Sequence, residues 1–433
     1  MNEQVRAIIL GAGKGTRMKS HLPKVMHEIF LKPLLGWVIE SVNQLPYDTE
    51  SIVVVGHGSE IIEKYLQKNY PSAKTALQKE QLGTGHAVIS AIPYLQNFKG
   101  TVIITCGDTP LITTKTLQEF IQYHKENSAD LTVLSANFDN PFGYGRIVRN
   151  SKNEVEKIVE QKDATEEIRK IKEVNAGIYC LNWEKICPLF SNLKNNNAQG
   201  EYYLTDIVKQ AKEKGLKTLG YTIQNNQEIF GINSRQNLAQ AFEIMNKRHL
   251  EELMTKGVTI YDVNSTYISP ETEIENDVTI FPNTYIEGKN KISSFCKIGP
   301  MAHLRGNCVL GENVKIGNFV ELKNAKVAKN SHVCHLTYMG DAVVGCDVNI
   351  GAGTIFANYN SLTKEKKVST LSDGVSIGSN SVLVAPVNIK EGAFVAASSC
   401  ITKDVNEYSL AMNRVPQKEI KNWVKNKEIK NES

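Results

Sequence analysis

Residues 267–322 read, in groups of six, YISPET EIENDV TIFPNT YIEGKN KISSFC KIGPMA HLRGNC VLGENV KIGNFV EL. Ile268, Ile274, Ile280, Ile286, Ile292, Ile298, Leu304, Leu310, Ile316 and Leu322 hold the second place of each group, all in one register. Neither the 3.6-residue turn of an α-helix nor the two-residue alternation of a strand repeats with period six. The stretch therefore predicts a solenoid in which each flat face is one short strand. Small residues four places further on (Thr272, Val278, Thr284, Cys296, Ala302, Cys308, Val314) agree, because a tight corner accepts only a small inward side chain.

Past Leu322 the frame slips to Val327, Val333 and Met339, and slips again at Val344, Ile350 and Phe356. It lapses there and returns at Ile377, Leu383, Ile389, Val395 and Ile401, so the interval between Phe356 and Ile377 predicts a loop thrown out of the scaffold. On the amino-terminal side, Leu238, Phe242, Met245, Leu250 and Leu253 fall three to five apart and predict a helix from Arg235 to Lys256, with Gly257 as its stop.

A chain of 433 residues exceeds one hydrophobic core and predicts two or three domains. The net charge of +4 is small, and the lysines are scattered apart from a cluster between Lys418 and Lys430 that reads as a solvated tail. Neither nucleic acid nor a membrane surface is implied as a partner. VRAIIL at 5–10 is too short for a signal peptide, and no run has the length of a membrane-spanning helix. The expected setting is soluble and cytoplasmic. The eight cysteines show no CxxC pair and no zinc-spaced Cys/His cluster, and read as small buried hydrophobes in a reducing compartment.

Residues 5 to about 233 alternate strand-like segments (VRAIIL, SIVVVG, TVIITC, LTVLSA, AGIYCL, TLGYTI) with helical patterns such as TKTLQEFIQYHKEN and EYYLTDIVKQAKEKG, the mark of a mostly parallel α/β sheet. The first strand runs into a glycine-rich turn, where such sheets bind ligands. Gly11, Gly13 and Gly15 let the backbone approach a phosphate, and Lys14, Arg17 and Lys24 supply charge. A dinucleotide fingerprint fails, since Thr16 takes the third glycine position and no acidic residue follows SIVVVGHG; no GK[ST] closes a Walker loop either. Gly107-Asp108 ends the strand TVIITC, and Asp108 reads either as a ligand for a hard divalent cation or as a turn cap.

LGAGKGTRM (10–18), LPK (22–24), LGTGHA (82–87) and GDTPLI (107–112) together resemble the signature of the sugar-1-phosphate nucleotidyltransferases. With the hexad solenoid behind them, the chain is similar over nearly its full length to the bacterial bifunctional N-acetylglucosamine-1-phosphate uridyltransferase and glucosamine-1-phosphate N-acetyltransferase family. The resemblance implies a Rossmann-like α/β nucleotidyltransferase domain over 1–234 and a linker helix over 235–256. A left-handed parallel β-helix of hexapeptide repeats then follows over 257–433, ending in a tail.

It also implies roles. Leu10, Gly11, Ala12, Gly13 and Lys24 would contact the uridine nucleotide, and Gln78, Gly83 and Thr84 would read the uracil. Cys106, Gly107, Asp108, Gly145, Glu160 and Asn175 would surround the ribose and the N-acetylglucosamine, with Asp108 and Asn233 on Mg²⁺. The phosphate oxygen of N-acetylglucosamine-1-phosphate would attack the α-phosphorus of UTP. Lys24 would stabilise the attacked group, and Lys14 and Arg17 the leaving pyrophosphate.

In the solenoid, chemistry is expected where the hexads break. HVCHLTYMGD (332–341) supplies His335 and Tyr338, and although a His on a β-coil is commonly an ordinary surface residue, Arg305, Glu321, Lys323, Asn349, Asn358 and Tyr359 gather in the same coils. The resemblance implies that Arg305, Lys323, Tyr338 and Asn349 bind the acceptor sugar phosphate, with Lys364 of the loop closing over it. Ala352, Asn358, Tyr359, Ser379, Ala397 and Arg414 would meet acetyl-CoA. His335 would be the general base, oriented by Glu321. A homotrimer with shared acetyl sites is implied as well.

Three departures from the family pattern stand out. Gly11 replaces a common Ala, Ser398 stands where Gly is usual, and the solenoid before Arg305 is shorter by about two coils. Two rival readings are a single-function nucleotidyltransferase with a scaffolding or regulatory β-helix, and a non-catalytic assembly protein. His335, Lys323 and Tyr338 count against the first, and Lys24, Asp108 and Asn233 against the second.

Overall fold

A computed structural model describes residues 3–424; residues 425–433, where the lysine cluster and the tail end, lie outside the described residues. The chain divides after Met245 into two compact units.

In the first unit the main sheet runs in the order Thr218–Ile223, Leu131–Asn137, Glu173–Asn182, Thr101–Cys106, Gln4–Leu10, Asp48–Val55, Lys74–Leu77. All neighbours on this path are parallel except Glu173–Asn182, which is antiparallel to both of its partners. Each of the six segments read as strands falls in one of these; Lys74–Leu77 and the side hairpin of Arg146–Arg149 with Val155–Val159 are additions. Central strands read as continuous apolar runs because both faces are covered. Ile8, Ile52 and Val54 enter one core, and Ala7, Ile9, Val53 and Val55 the other.

The helix Thr114–Glu126 matches its pattern, and Thr113 caps it by accepting from the Thr116 N–H. EYYLTDIVKQAKEKG does not form one helix from its start: the helix covers Asp206–Glu213 only. Backbone pairing explains the difference, since Tyr202 exchanges hydrogen bonds with Leu82 and Gly85 at 2.8 Å and is thereby held extended. The helix Arg235–Thr255 ends before Gly257, whose φ of +94° only glycine adopts readily. Ala241 and Met245 pack in a small cluster of the first unit, and Leu250 and Leu253 in the core of the second.

Among the described residues the second unit is a parallel β-helix of three sheets with nine, eight and seven strands. Ile268 pairs with Ile286, Ile286 with Leu304 and Leu304 with Leu322, so three hexads make one coil. Where the frame slips, the coil shortens by one residue: Leu322 lies beside Met339, and Ile316 beside Val333. The inward aliphatics form a single core. Ser369–Leu371 already rejoins the scaffold, pairing with Ala342–Val344, so the period resumes at Leu371, one hexad before Ile377, and the expelled loop is correspondingly shorter. Of the cysteines, Cys180, Cys296 and Cys308 are buried as expected, whereas Cys400 is exposed; all eight are free thiols.

Candidate active sites

In the first unit the chain passes from Gln4–Leu10 to Asp48–Val55 on one side, then returns to lay Thr101–Cys106 on the other. The carboxyl ends of neighbouring strands thus diverge at Leu10 and Cys106, the switch point at which open α/β sheets take ligands. Two cavities lie over that edge. One, of about 450 Å³, is lined by Leu10, Gly11, Ala12, Gly13, Lys14, Lys24, Gln78, Gly83, Thr84, Cys106 and Asp108. The other, of about 200 Å³, is lined by Gly145, Glu160, Asn175 and Asn233, and shares Leu10, Thr84, Cys106 and Asp108 with the first. Two residues stand apart. Gly107 is tied below the rim by its N–H to Leu10 O at 2.9 Å, and exposed Arg17, on the turn Thr16–Met18, lines neither cavity.

The three glycines of the first turn do different work. Gly13 has open space on its Cβ side, as phosphate approach requires. At Gly15, φ is +58° and a Cβ would fall 2.7 Å from Lys24 Cβ, so this glycine lets Lys24 pass close. An alanine at Gly11 would meet Val54 O at 3.2 Å, a tight but tolerable contact, so the missing methyl leaves no cavity of note.

Lys24 donates to the Asp108 carboxylate and to Asn233 Oδ1, the latter at 3.1 Å. A carboxylate and an amide oxygen therefore converge on one cationic point at the seam of the two cavities. Two such oxygens fit a hard cation that keeps most of its shell as water and phosphate. Among the described residues no cluster of three acidic, His or Cys side chains offers a complete protein cage.

The smaller cavity is polar and pre-arranged. Asn175 donates to the Tyr179 hydroxyl at 2.8 Å and accepts the Gly177 N–H at 3.0 Å. Thr205 donates to Glu160 at 3.2 Å. Burial, with Asp163, Asp206 and Glu201 nearby, nevertheless raises the Glu160 carboxyl above its ordinary value. Burial also pushes the Cys106 thiol up to about 12, so it is a neutral wall.

In the solenoid, strand register sorts the expected residues into two groups. Arg305 pairs with Lys323, and Glu321 with Tyr338, so these four stand outward on one flat face. His335, Ala352, Ser379 and Ala397 form successive rungs of one corner. The N–H that follows each of the last three donates to the rung below: Gly353 to His335, Asn380 to Ala352 and Ser398 to Ser379. Arg414 closes the column, donating to Ala397 O at 3.2 Å. Asn358 is buried and donates to Asp341 at 2.6 Å, with Tyr359 exposed beside it. Asn349 does not join Arg305, Lys323 and Tyr338: it lies on the adjacent face, in register with His332 and Ser376.

Glu321 does not orient His335 within the chain. Its carboxylate is bound by Arg305, at 2.7 Å from Nε and 2.5 Å from Nη2, because the two side chains are one coil apart on the same face. His335 is exposed at the corner instead. Ser398 has φ +58°, which explains why glycine suits that place.

Sequence reading missed Gln81, Tyr144 and Thr205, which also line the two cavities. Gln81 immediately precedes the LGTGHA motif, three places from Gln78. Thr205 carried no signal, being hidden in a segment with helical periodicity.

This architecture, an α/β sheet with a phosphate-sized turn at its switch point followed by a hexad β-helix, defines a nucleotidyltransferase joined to a hexapeptide-repeat transferase. Residues 6–228 match the nucleotidyl transferase family, and residues 291–324 match the bacterial transferase hexapeptide family of six repeats. Bifunctional protein GlmU of Shouchella clausii is 43% identical, covering 97% of this chain and 98% of its own length. Those of Geobacillus thermodenitrificans and Clostridioides difficile are each 42% identical, covering 96% and 99% of this chain and 97% and 99% of theirs. The chain belongs to the bifunctional GlmU family: it is an enzyme that joins nucleotidyl transfer to acetyl transfer. The relatives match across both halves, which sets aside the reading of a single-function enzyme with a passive scaffold.

Proposed function

We propose that the enzyme makes UDP-N-acetylglucosamine in two steps. Residues 257–433 transfer the acetyl group of acetyl-CoA to glucosamine-1-phosphate. Residues 1–234 then transfer uridylate from UTP to the product and release pyrophosphate, with the helix over 235–256 as linker. The observation that carries this reading is the pair of abutting cavities, one of nucleotide and one of sugar dimensions, with Lys24, Asp108 and Asn233 at their seam.

Asp108 and Asn233 would hold Mg²⁺, which supplies charge neutralisation to the phosphates when bound. Gly13 leaves backbone room for the triphosphate, Lys14 faces its leaving end, and Lys24 steadies the attacked phosphate. Arg17 acts on pyrophosphate only by swinging in from its exposed turn. Asn175 and Glu160 take the hydroxyl and amide groups of the sugar.

In the second half His335 removes a proton from the acceptor amine as it attacks the thioester carbonyl, and the thiolate of coenzyme A departs. The corner column from Ala352 to Arg414 supports a coenzyme track that leads to the His335 rung. Arg305, Lys323 and Tyr338 bind the sugar phosphate from one face while Asn349 stands on another, an arrangement suited to a homotrimer whose acetyl sites lie between subunits. Among the described residues no helix is long and apolar enough to cross a membrane. A cytoplasmic source of sugar nucleotide for cell-envelope polymers is the role that fits.

The test is a split assay that follows pyrophosphate and free thiol separately. Asp108→Ala should abolish pyrophosphate release and leave acetyl transfer intact, and His335→Ala should do the reverse. Retained pyrophosphate release by Asp108→Ala, or parallel loss of both activities in either variant, would contradict the assignment.

A further inference from the structure

Gln78 follows the strand Lys74–Leu77 and is only 3% exposed, yet it lines the larger cavity. Its backbone is committed on both sides: the N–H donates to Val55 O at 2.8 Å, and the carbonyl accepts from Gln81 Nε2 at 3.1 Å. The side-chain amide is committed at one end only. Nε2 lies 3.0 Å from Gly83 O and 3.2 Å from His86 Nδ1. A carbonyl oxygen accepts and never donates, so the atom set against Gly83 O is the amide nitrogen and not the amide oxygen. The second hydrogen of that nitrogen then goes to His86, whose Nδ1 accepts it.

Both acceptors are fixed without help from Gln78. Gly83 O also takes the Ala87 N–H at 3.1 Å, at the start of the helix Thr84–Ala91. His86 stands in the first turn of that helix. The turn is pinned by the Gly85 N–H on Tyr202 O at 2.8 Å, and the His86 ring lies 6.2 Å from the Tyr202 ring. Both donors of the Gln78 amide are therefore spent inside the protein, on groups set in place beforehand. Among the described residues neither Gln78 Oε1 nor the Gly83 N–H has a hydrogen-bond partner. What this wall of the cavity has left for a ligand is one side-chain acceptor and one backbone donor.

We infer that His86 is a positioning residue for nucleobase choice: with Gly83 O it locks the Gln78 amide so that only the amide oxygen is offered to the base. This rests on the uridyl-transfer reading above. Uracil meets such a wall with its imide N3–H and a neighbouring carbonyl, and 5-methyluracil keeps the same edge. Cytosine reverses both groups, since its N3 accepts and its exocyclic amino group donates. Acceptor would then face acceptor, and polar groups left unpaired in a site are what reject a near-isosteric ligand. A glutamine free to turn end for end presents whichever group the base demands. His86, which touches the amide and not the base, withholds that freedom.

The experiment uses the full-length protein and its His86→Leu, His86→Ala and His86→Asn variants, with pyrophosphate release as the readout and UTP, 5-methyl-UTP and CTP compared. His86→Leu and His86→Ala should each raise KM for UTP and for 5-methyl-UTP by about 3-fold to 10-fold with little change in kcat, the loss expected of one hydrogen bond. For CTP, followed at high enzyme concentration, kcat/KM should hold or rise, so the preference for UTP narrows. His86→Asn places a side-chain oxygen near the position of Nδ1 and should recover most of the loss. An equal loss for all three nucleotides would overturn the inference, because a disturbed helix weakens every base alike. Unchanged KM values for UTP in both His86→Leu and His86→Ala would overturn it too. If the wild-type protein releases no pyrophosphate from UTP, the uridyl-transfer reading fails instead. Calorimetric binding of UTP and CTP to wild type and His86→Leu then decides the lock on its own.

Discussion

Lys24 and Asn233 meet although 209 positions separate them: the ammonium donates to Asn233 Oδ1 at 3.1 Å while also holding the Asp108 carboxylate. The protein's own cation therefore stands where the two proposed metal ligands converge. A divalent ion and Lys24 could not hold that point together, so a metal bound there would free the lysine to turn toward phosphate.

Lys24→Met should therefore separate metal binding from catalysis. Mn²⁺, titrated by electron paramagnetic resonance, should bind this variant more tightly than wild type, while pyrophosphate release falls by at least about 100-fold, as loss of a transition-state cation does. Asp108→Asn should weaken Mn²⁺ binding instead. Unchanged or weaker Mn²⁺ binding in Lys24→Met would show that the lysine is no competitor for the metal.

Ser398 offers a stability test with a clear sign. At φ +58° its Cβ is strained, and its side chain makes no hydrogen bond among the described residues. A left-handed non-glycine residue costs about 1–2 kcal/mol, partly offset by the entropy that glycine loses on folding. Ser398→Gly should raise the midpoint of thermal unfolding, with a net gain of about 0.5–1 kcal/mol. A lower midpoint would mean that the corner holds its conformation by contacts of the serine itself.

The solenoid was open to reading because one constraint, an inward aliphatic every sixth residue, acts on every rung; Ile268 to Leu322 repeat it without interruption. Leu371 escaped because the expelled hairpin restarts the count, and no local pattern says where a loop rejoins its sheet. The uridyl half was legible through glycines and charged residues in short motifs, since Gly13 and Gly15 answer to local backbone geometry. Glu321 was not legible in that way. The resemblance implied that it orients His335, but the coil sets Arg305 beside it, and cross-coil pairing is visible only after folding.

Phe319 and Leu336 occupy equivalent corners of successive coils, at φ +57° and +50°, and are 57% and 59% exposed. Large apolar side chains rarely take this conformation, and here they do so facing solvent within one residue of the proposed base rung. The conformation recurs at other corners of this solenoid, at Asn313, Asn330 and Asp347, and a second subunit covering this corner would account for the exposed apolar side chains. Phe319→Asp combined with Leu336→Asp should shift the sedimentation coefficient from trimer to monomer and remove acetyl transfer while uridyl transfer persists. A trimer that survives both charges would place the interface elsewhere, and a wild-type monomer at micromolar concentration would contradict a shared site.

Glu160 carries the pH prediction. Its carboxyl is raised from an ordinary 4.5 chiefly by burial, then by Asp163, Asp206 and Glu201, with the Thr205 hydroxyl opposing. The folded protein therefore keeps this proton to a higher pH than the unfolded chain does. Its contribution to stability is complete below the unfolded value and is lost as pH rises through the raised one, because the folded state must then bury a charge. Glu160→Gln keeps the size and removes that charge. Thermal unfolding of the variant and wild type should coincide near the acid end, at about pH 3, where both states of the wild-type residue are protonated. At pH 8 the variant should be the more stable protein. A sugar nucleotide should narrow that gap, because its hydroxyl donors favour the carboxylate, and Glu160→Gln should bind it more weakly. If the variant is instead less stable at pH 8 than wild type, hydrogen bonds to the carboxylate outweigh its burial, and the polar wall of the smaller cavity is built around a charge rather than waiting for one.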